Sequence, residues 1–248
     1  MTAHAIVSQL KWLEARRDLL AAEKDLSHRS DQVAELRRKL PWVRIEKPYV
    51  FEGRSGKASM VDLFAGRSQL LVQHFMLAPG WKEGCKSCSF MADHTDSMTG
   101  HLAQRDVTFV AISRAPYSEI EPFRKRMGWK FNWVSSNANS FNFDFRVSFT
   151  AEEKAKGEVA YNYGTEPYDN EEQPGVSVFH KDTSGDVFHT YSTYGRGVEV
   201  MMGTYRMLDL TPKGRDEAPG RGMAWVRHHD RYQQDATGST ASCCGGEK

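Results

Sequence analysis

The sequence predicts an α/β domain built on a central sheet, with a helical extension before it and a flexible tail behind it. Three observations carry this reading. Two short apolar runs, Leu70–Leu77 and Val107–Ile112, read as strands covered on both faces. Each is followed by a segment with helical spacing, so the order is β-α-β-α and right-handed crossovers make the two strands parallel. Between the first strand and its helix stands Cys85-Lys86-Ser87-Cys88.

Length and composition bound the rest. A chain of 248 residues with 40% apolar and 26% charged residues can bury a sizeable core. A net charge of +1 supplies no general attraction to nucleic acid or anionic membranes, so neither is expected as a partner. No run reaches the roughly 18 apolar residues of a membrane helix, and MTAHAIVSQLKWLEARRDLL has no signal-length apolar core; the expected location is cytoplasmic. Four cysteines in two close pairs, Cys85/Cys88 and Cys243/Cys244, are too few for a secreted disulfide framework.

Taken in order, residues 4–27 predict a helix through Ile6, Leu10, Leu13 and Leu20, and Ser30 or Asp31 caps a second, short helix stopped by Pro41. Residues 1–42 therefore form a helical arm, suited to packing or to homodimerisation. Val43–Phe51 is extended, Glu52–Lys57 turns, and Ala58–Phe64 leads to the first core strand. Past the cysteines, Cys88, Met91, Thr95, Met98 and Leu102 mark one face of a single helix. Ser118 and Glu121 read as a capping box for a helix through Ile120, Phe123 and Met127 that ends at Gly128. Lys130–Val134 is a short strand, and the polar stretch 135–173 holds a helix near Ala151–Lys156 within a functional loop. Gly175–His180 and Val187–Tyr191 make a hairpin, and a helix from Gly197 runs to Pro212. The domain spans 43–210; residues 211–248 are a C-terminal extension whose last ~15 residues read as disordered.

The helix spacing separates the roles of the two cysteines. Cys88 lies on the core-facing stripe, whereas Cys85 falls at the helix mouth, where free N–H groups and the dipole lower a thiol's pKa. Cys85 is thus the nucleophile and Cys88 the resolving thiol of a dithiol pair. Lys86 adds a cation, and Ser87 a hydroxyl, beside the thiolate. Zinc needs four N or S ligands, and no second C-x-x-C stands in the ordered region, so no metal and no cofactor is expected. Cys243 and Cys244 sit in the tail, where composition favours an unstructured segment over a relay.

From Val50 to Leu208 the order of parts resembles the thioredoxin-like superfamily. Phe51-x-Gly53, Met60-Val61-Asp62-Leu63-Phe64-x-Gly66 and Gly128-Trp129-x-Phe131 are similar to the branch that includes peroxiredoxins. At whole-chain level Gly84-Cys85-x-Ser87-Cys88-Ser89, Ser113-Arg114-Ala115-Pro116 and His189-Thr190-Tyr191-Ser192 resemble a bacterial family of unknown function described as predicted dithiol-disulfide oxidoreductases. The resemblance implies a cis Pro174 ahead of the hairpin, with Gln173 offering backbone hydrogen bonds to a substrate. It also places His74 where many thioredoxins carry a buried acid that serves the resolving cysteine, although a core histidine is the blander reading. Trp81 shields the site edge or simply packs.

The function expected is therefore thiol–disulfide exchange with a protein or small-molecule disulfide, fed by an external thiol reductant. A peroxiredoxin-like thiol peroxidase is the first alternative, weakened because Lys82 stands where that family's pattern has a hydroxyl. A non-catalytic interaction protein on the same fold is the second.

Overall fold

The computed structural model describes residues 4–168 and 170–232. The chain divides after Trp42 into two compact units. The first is one helix, α1 (Gln9–Arg38), with Ser8 as its N-cap and no buried residue. The expected break near Ser30 is absent. No proline or glycine stands between Gln9 and Arg38, so the backbone ladder continues through Ser30 and Asp31.

In the second unit the strands are β1 (Val43–Arg44), β2 (Val50–Gly53), β3 (Gly56–Ser59), β4 (Gln69–His74), β5 (Val107–Ser113), β6 (Asn132–Ser135), β7 (Glu158–Tyr161), β8 (Gly164–Pro167), β9 (Gly175–Lys181) and β10 (Val187–Tyr194). One sheet has the order β1-β10-β9-β4-β5-β6-β2-β3. β4, β5 and β6 run parallel, β9 is antiparallel to β4 with Gly175 opposite His74, and β10 returns antiparallel to β9. This mixed sheet, with a parallel βαβ half and an antiparallel hairpin half, has the thioredoxin-like arrangement the residues predicted.

The helices after α1 are α2 (Lys86–Asp96), α3 (Thr99–Ala103), α4 (Tyr117–Arg126), α5 (Phe141–Asp144), α6 (Ala151–Ala155) and α7 (Gly203–Leu208). One core layer joins Phe75, Met91, Ile120, Phe123, Trp133 and Tyr205, so α2, α4 and α7 cover one face of the sheet. The other joins Phe51, Phe64, Leu70, Val72, Ile112 and Phe141. Alternation along each strand divides the two layers, and each fully buried Leu or Phe contributes about 1.5–3 kcal/mol.

Several boundaries differ from the expectation, each for a tertiary reason. The helix after the cysteines is two: α2 stops at Asp96, whose Oδ1 accepts from the Lys130 and Phe131 amides at 2.7 and 2.9 Å and so ties the helix end to the approach to β6. Ser118 caps nothing; α4 begins behind Pro116, and Glu121 instead binds Tyr117 and Arg124. The stretch 135–173 carries α5, α6 and the β7–β8 hairpin. The last helix is a 3₁₀ segment, Gly195–Met201, followed by α7, whose Gly203 is needed because a Cβ there would lie 2.1 Å from His94. The C-terminal segment through Tyr232 folds back on the domain, while Cys243 and Cys244 lie outside the described residues. Among the described residues no helix is long and apolar enough to cross a membrane.

Candidate active site

β4 delivers the chain to the dithiol. Past His74 the backbone keeps its place beside β5 through Phe75 N to Ile112 O at 2.9 Å, then loops and returns so that Cys85 N donates to Met76 O at 3.0 Å. Gly84 must be glycine: a Cβ there would lie 2.6 Å from the Phe75 ring and 2.7 Å from the Phe123 ring. That close approach seats Cys85 as the N-cap residue of α2 (φ −56°, ψ 135°), beside the first amides of the helix.

The two thiols are unequal. Cys88 is buried at 1% exposure, whereas Cys85 is partly exposed, and both are free thiols. The hydrogen bond from Cys88 brings the Cys85 pKa down to about 6 against the opposing effect of burial, helped by the Ser87 hydroxyl 3.0 Å away and by the Cys88 and Ser87 amides. The same bond, together with burial, holds Cys88 well above the ordinary thiol range. At neutral pH the site therefore contains one thiolate and one thiol, and the thiolate is the one that reaches solvent.

The other predicted residues divide. Ser87 is beside Cys85; Lys86 is exposed at the first helical position, and the groups that most lower the Cys85 pKa are Cys88, Ser87 and backbone amides. Trp81 packs on the same cluster as Cys85 and donates from Nε1 to Glu171 at 2.9 Å. Pro174 lines a cavity with Ser87 and Cys88. Its peptide bond is trans, which corrects the cis expectation. Glu171–Gln173 pair with Val147–Phe149 and run straight into β9, so no turn there demands the less favoured isomer. That pairing also takes the Gln173 amide, which donates to Val147 O at 2.8 Å and is not available to a substrate.

His74 points away from the cysteines. Its ring stacks on Phe141 and Phe145, and Nε2 meets Ser177 Oγ at 2.7 Å in the opposite core layer. Burial, with a smaller contribution from His189, pushes its pKa down to about 3, so it is a neutral core histidine. Its neighbour Gln73 faces the dithiol helix instead, donating from Nε2 to Cys88 O at 3.0 Å. One residue of strand alternation separates the two outcomes.

Sequence reading missed an acidic cluster beside the site. Glu172 is 1% exposed, receives Arg114 Nε at 2.7 Å and Ser148 Oγ at 2.9 Å, and its field raises the Cys88 pKa. Burial outweighs these partners and pushes its own pKa up to about 7. Arg114 also binds Glu171. The available signal was position: Arg114 follows the apolar strand β5, and the acidic pair directly precedes Gln173-Pro174, both at ends of strands that border the site.

A family model described as "Bacterial protein of unknown function (DUF899)" matches residues 1–232. The chain belongs to that family. No curated protein matches it. Among solved structures it is similar to the peroxidoxin BcpB of Mycobacterium tuberculosis (13% identity, TM-score 0.43, covering 68% of this chain and 97% of that one). It is also similar to peroxiredoxin Q of Xanthomonas campestris (9%, 0.46, covering 68% and 98%). A third is a putative thiol:disulfide interchange protein DsbE from Chlorobium tepidum (12%, 0.41, covering 67% and 98%).

Proposed function

We propose that this DUF899 protein is a dithiol–disulfide oxidoreductase. The observation that carries the reading is the split pair: a partly exposed Cys85 with a pKa near 6 at the mouth of α2, hydrogen-bonded to a buried Cys88 held as a thiol. Cys85 thiolate attacks one sulfur of a substrate disulfide, forming a mixed disulfide and expelling the other sulfur as a thiolate. Cys88 gives up its proton and attacks Cys85 Sγ, expelling the second substrate thiol and closing a Cys85–Cys88 disulfide. Two electrons pass from protein to substrate, and an external thiol restores the dithiol.

Pro174 and Ser87 border the reacting sulfurs and Trp81 supports them from the side; these are supporting roles. The test is alkylation of the reduced protein with iodoacetamide, followed residue by residue. Rapid modification of Cys85 at pH 7, a reversible Cys85–Cys88 disulfide and loss of turnover in Cys85→Ser are expected. A Cys85 that stays inert would leave the fold as a non-catalytic interaction scaffold. Treatment with peroxide and trapping of a Cys85 sulfenic acid measures the peroxidase alternative on the same sample.

A further inference from the structure

Beside the dithiol lies a cavity of about 520 Å³, a volume typical of small-molecule sites. Its lining includes Ser87, Cys88 and Pro174, and the Ser87 hydroxyl lies 3.0 Å from Cys85 Sγ, so the cavity borders the dithiol on the Cys88 side. Much of its lining belongs to elements beyond the βαβ and hairpin core: Val198 from the 3₁₀ segment, Met202 and Tyr205 at α7, and Met223 from the C-terminal segment. A concave space of this volume suits a small group.

The lining also selects polarity. Met91, Met202 and Met223 offer flexible, polarizable thioethers that accommodate irregular apolar and aromatic shapes. The charged residues of the lining already have partners. Arg215 binds Asp209 at 2.9 Å and Glu199 at 3.3 Å and lies 4.0 Å over the Tyr205 ring. Arg196 reaches Glu199 at 3.2 Å. Glu217 accepts from Tyr205 Oη at 2.5 Å, Met223 N at 2.8 Å and Trp225 Nε1 at 2.9 Å. A charged ligand would compete with these pairs, whereas a neutral one leaves them in place.

We infer that the cavity receives the apolar group of a neutral, low-molecular-weight disulfide, whose S–S bond the dithiol reduces; this rests on the oxidoreductase reading above. With R–S–S–R′ seated, Cys85 thiolate bonds to one sulfur and releases R′S⁻. Cys88 then bonds to Cys85 Sγ, loses its proton and releases RS⁻. The products are two thiols and the Cys85–Cys88 disulfide, so one turnover of pre-reduced protein balances without a further reductant.

The experiment is single-turnover reduction of two probes by the full-length reduced protein: dipyridyl disulfide, neutral and aromatic, and bis(hydroxyethyl) disulfide, neutral and hydrophilic. The rate with the aromatic probe is expected to saturate with its concentration while the hydrophilic probe stays linear. Val198→Phe, which fills the cavity, is expected to lower the aromatic-to-hydrophilic rate ratio about 10-fold, the value of about 1.4 kcal/mol of binding. Linear kinetics for both probes overturn the inference without any variant, even while Cys85 reacts normally with iodoacetamide. Failure of the dithiol reading reads differently: Cys85 is inert to iodoacetamide, neither probe is reduced, and the inference falls with it.

Discussion

His228 donates from Nε2 to the carbonyl oxygen of Gly84 at 2.9 Å, the peptide that immediately precedes Cys85. The carbonyl can only accept, so the proton is on Nε2, and Nδ1 accepts from Arg126 at 2.9 Å; burial lowers the His228 pKa and keeps the ring neutral. A residue 1% exposed and 144 positions away thus holds the turn that seats the nucleophile. His228→Leu is expected to destabilise the protein by about 1–3 kcal/mol, because the Gly84 carbonyl and Arg126 lose a buried partner. Hydrogen exchange should quicken at Cys85 and the first turn of α2. Unchanged exchange there would mean that the contact does not hold the loop.

Iodoacetamide alkylation of Cys85 should follow a single titration with a midpoint near pH 6 and a plateau above pH 7. The same depressed pKa links stability to pH. Between about 6 and the ordinary thiol value of 9.0 the unfolded chain holds a proton that the folded chain has released. The contribution is therefore complete above 9.0 and is lost as pH falls through about 6, with a slope of up to about 1.4 kcal/mol per pH unit. Urea unfolding of reduced protein should show this slope, and Cys85→Ser should lack it.

His74 acts in the opposite layer from the dithiol and titrates against folding. Its folded pKa of about 3 lies below its ordinary 6.5, so stability is lost as pH falls between those values because only the unfolded chain takes the proton. His74→Gln keeps a donor for Ser177 and removes that titration. The stability gap between wild type and variant should shrink from pH 7.5 to pH 4.5, measured by urea unfolding. The Cys85 alkylation midpoint should stay where it is; a shift would place His74 in the redox site after all.

Arg114 compensates Glu172, a carboxylate in a 1% exposed position. Because the folded Glu172 pKa is raised from 4.5 to about 7, the folded chain binds the proton more tightly, and this contribution is present below 4.5 and lost as pH rises through about 7. Arg114→Met removes the paired cation and should cost about 3–5 kcal/mol at pH 8, where the Glu172 of the unaltered protein is charged and paired. At pH 5 the deficit should be smaller, since protonation removes the charge. An equal loss at both pH values would contradict the raised pKa.

Much of the fold was legible because its signals are local. Apolar runs set β4 and β5, turn residues set the β9–β10 hairpin, and the spacing after Cys88 set which side of α2 faces the core. The split of α2 from α3 was not legible, since it depends on Asp96 binding the amides of residues 34 and 35 positions away. The β7–β8 hairpin was lost in a polar stretch whose short strands, with only Val159 and Tyr161 of β7 buried, carry too few apolar residues to stand out.

What the sequence by itself determined is the βαβ-plus-hairpin order and the inequality of Cys85 and Cys88, because helix periodicity and a helix mouth are properties of consecutive residues. Tertiary structure alone decided that Gln73 rather than His74 faces the dithiol, since one step along a pleated strand reverses the face. It alone decided that Pro174 is trans and that Glu172, Arg114 and His228 surround the site. It also built the cavity beside Cys88 from residues more than a hundred positions downstream, at Val198 and beyond. Buried charge, close approach and enclosed volume arise between segments, and no local pattern encodes which segments will meet.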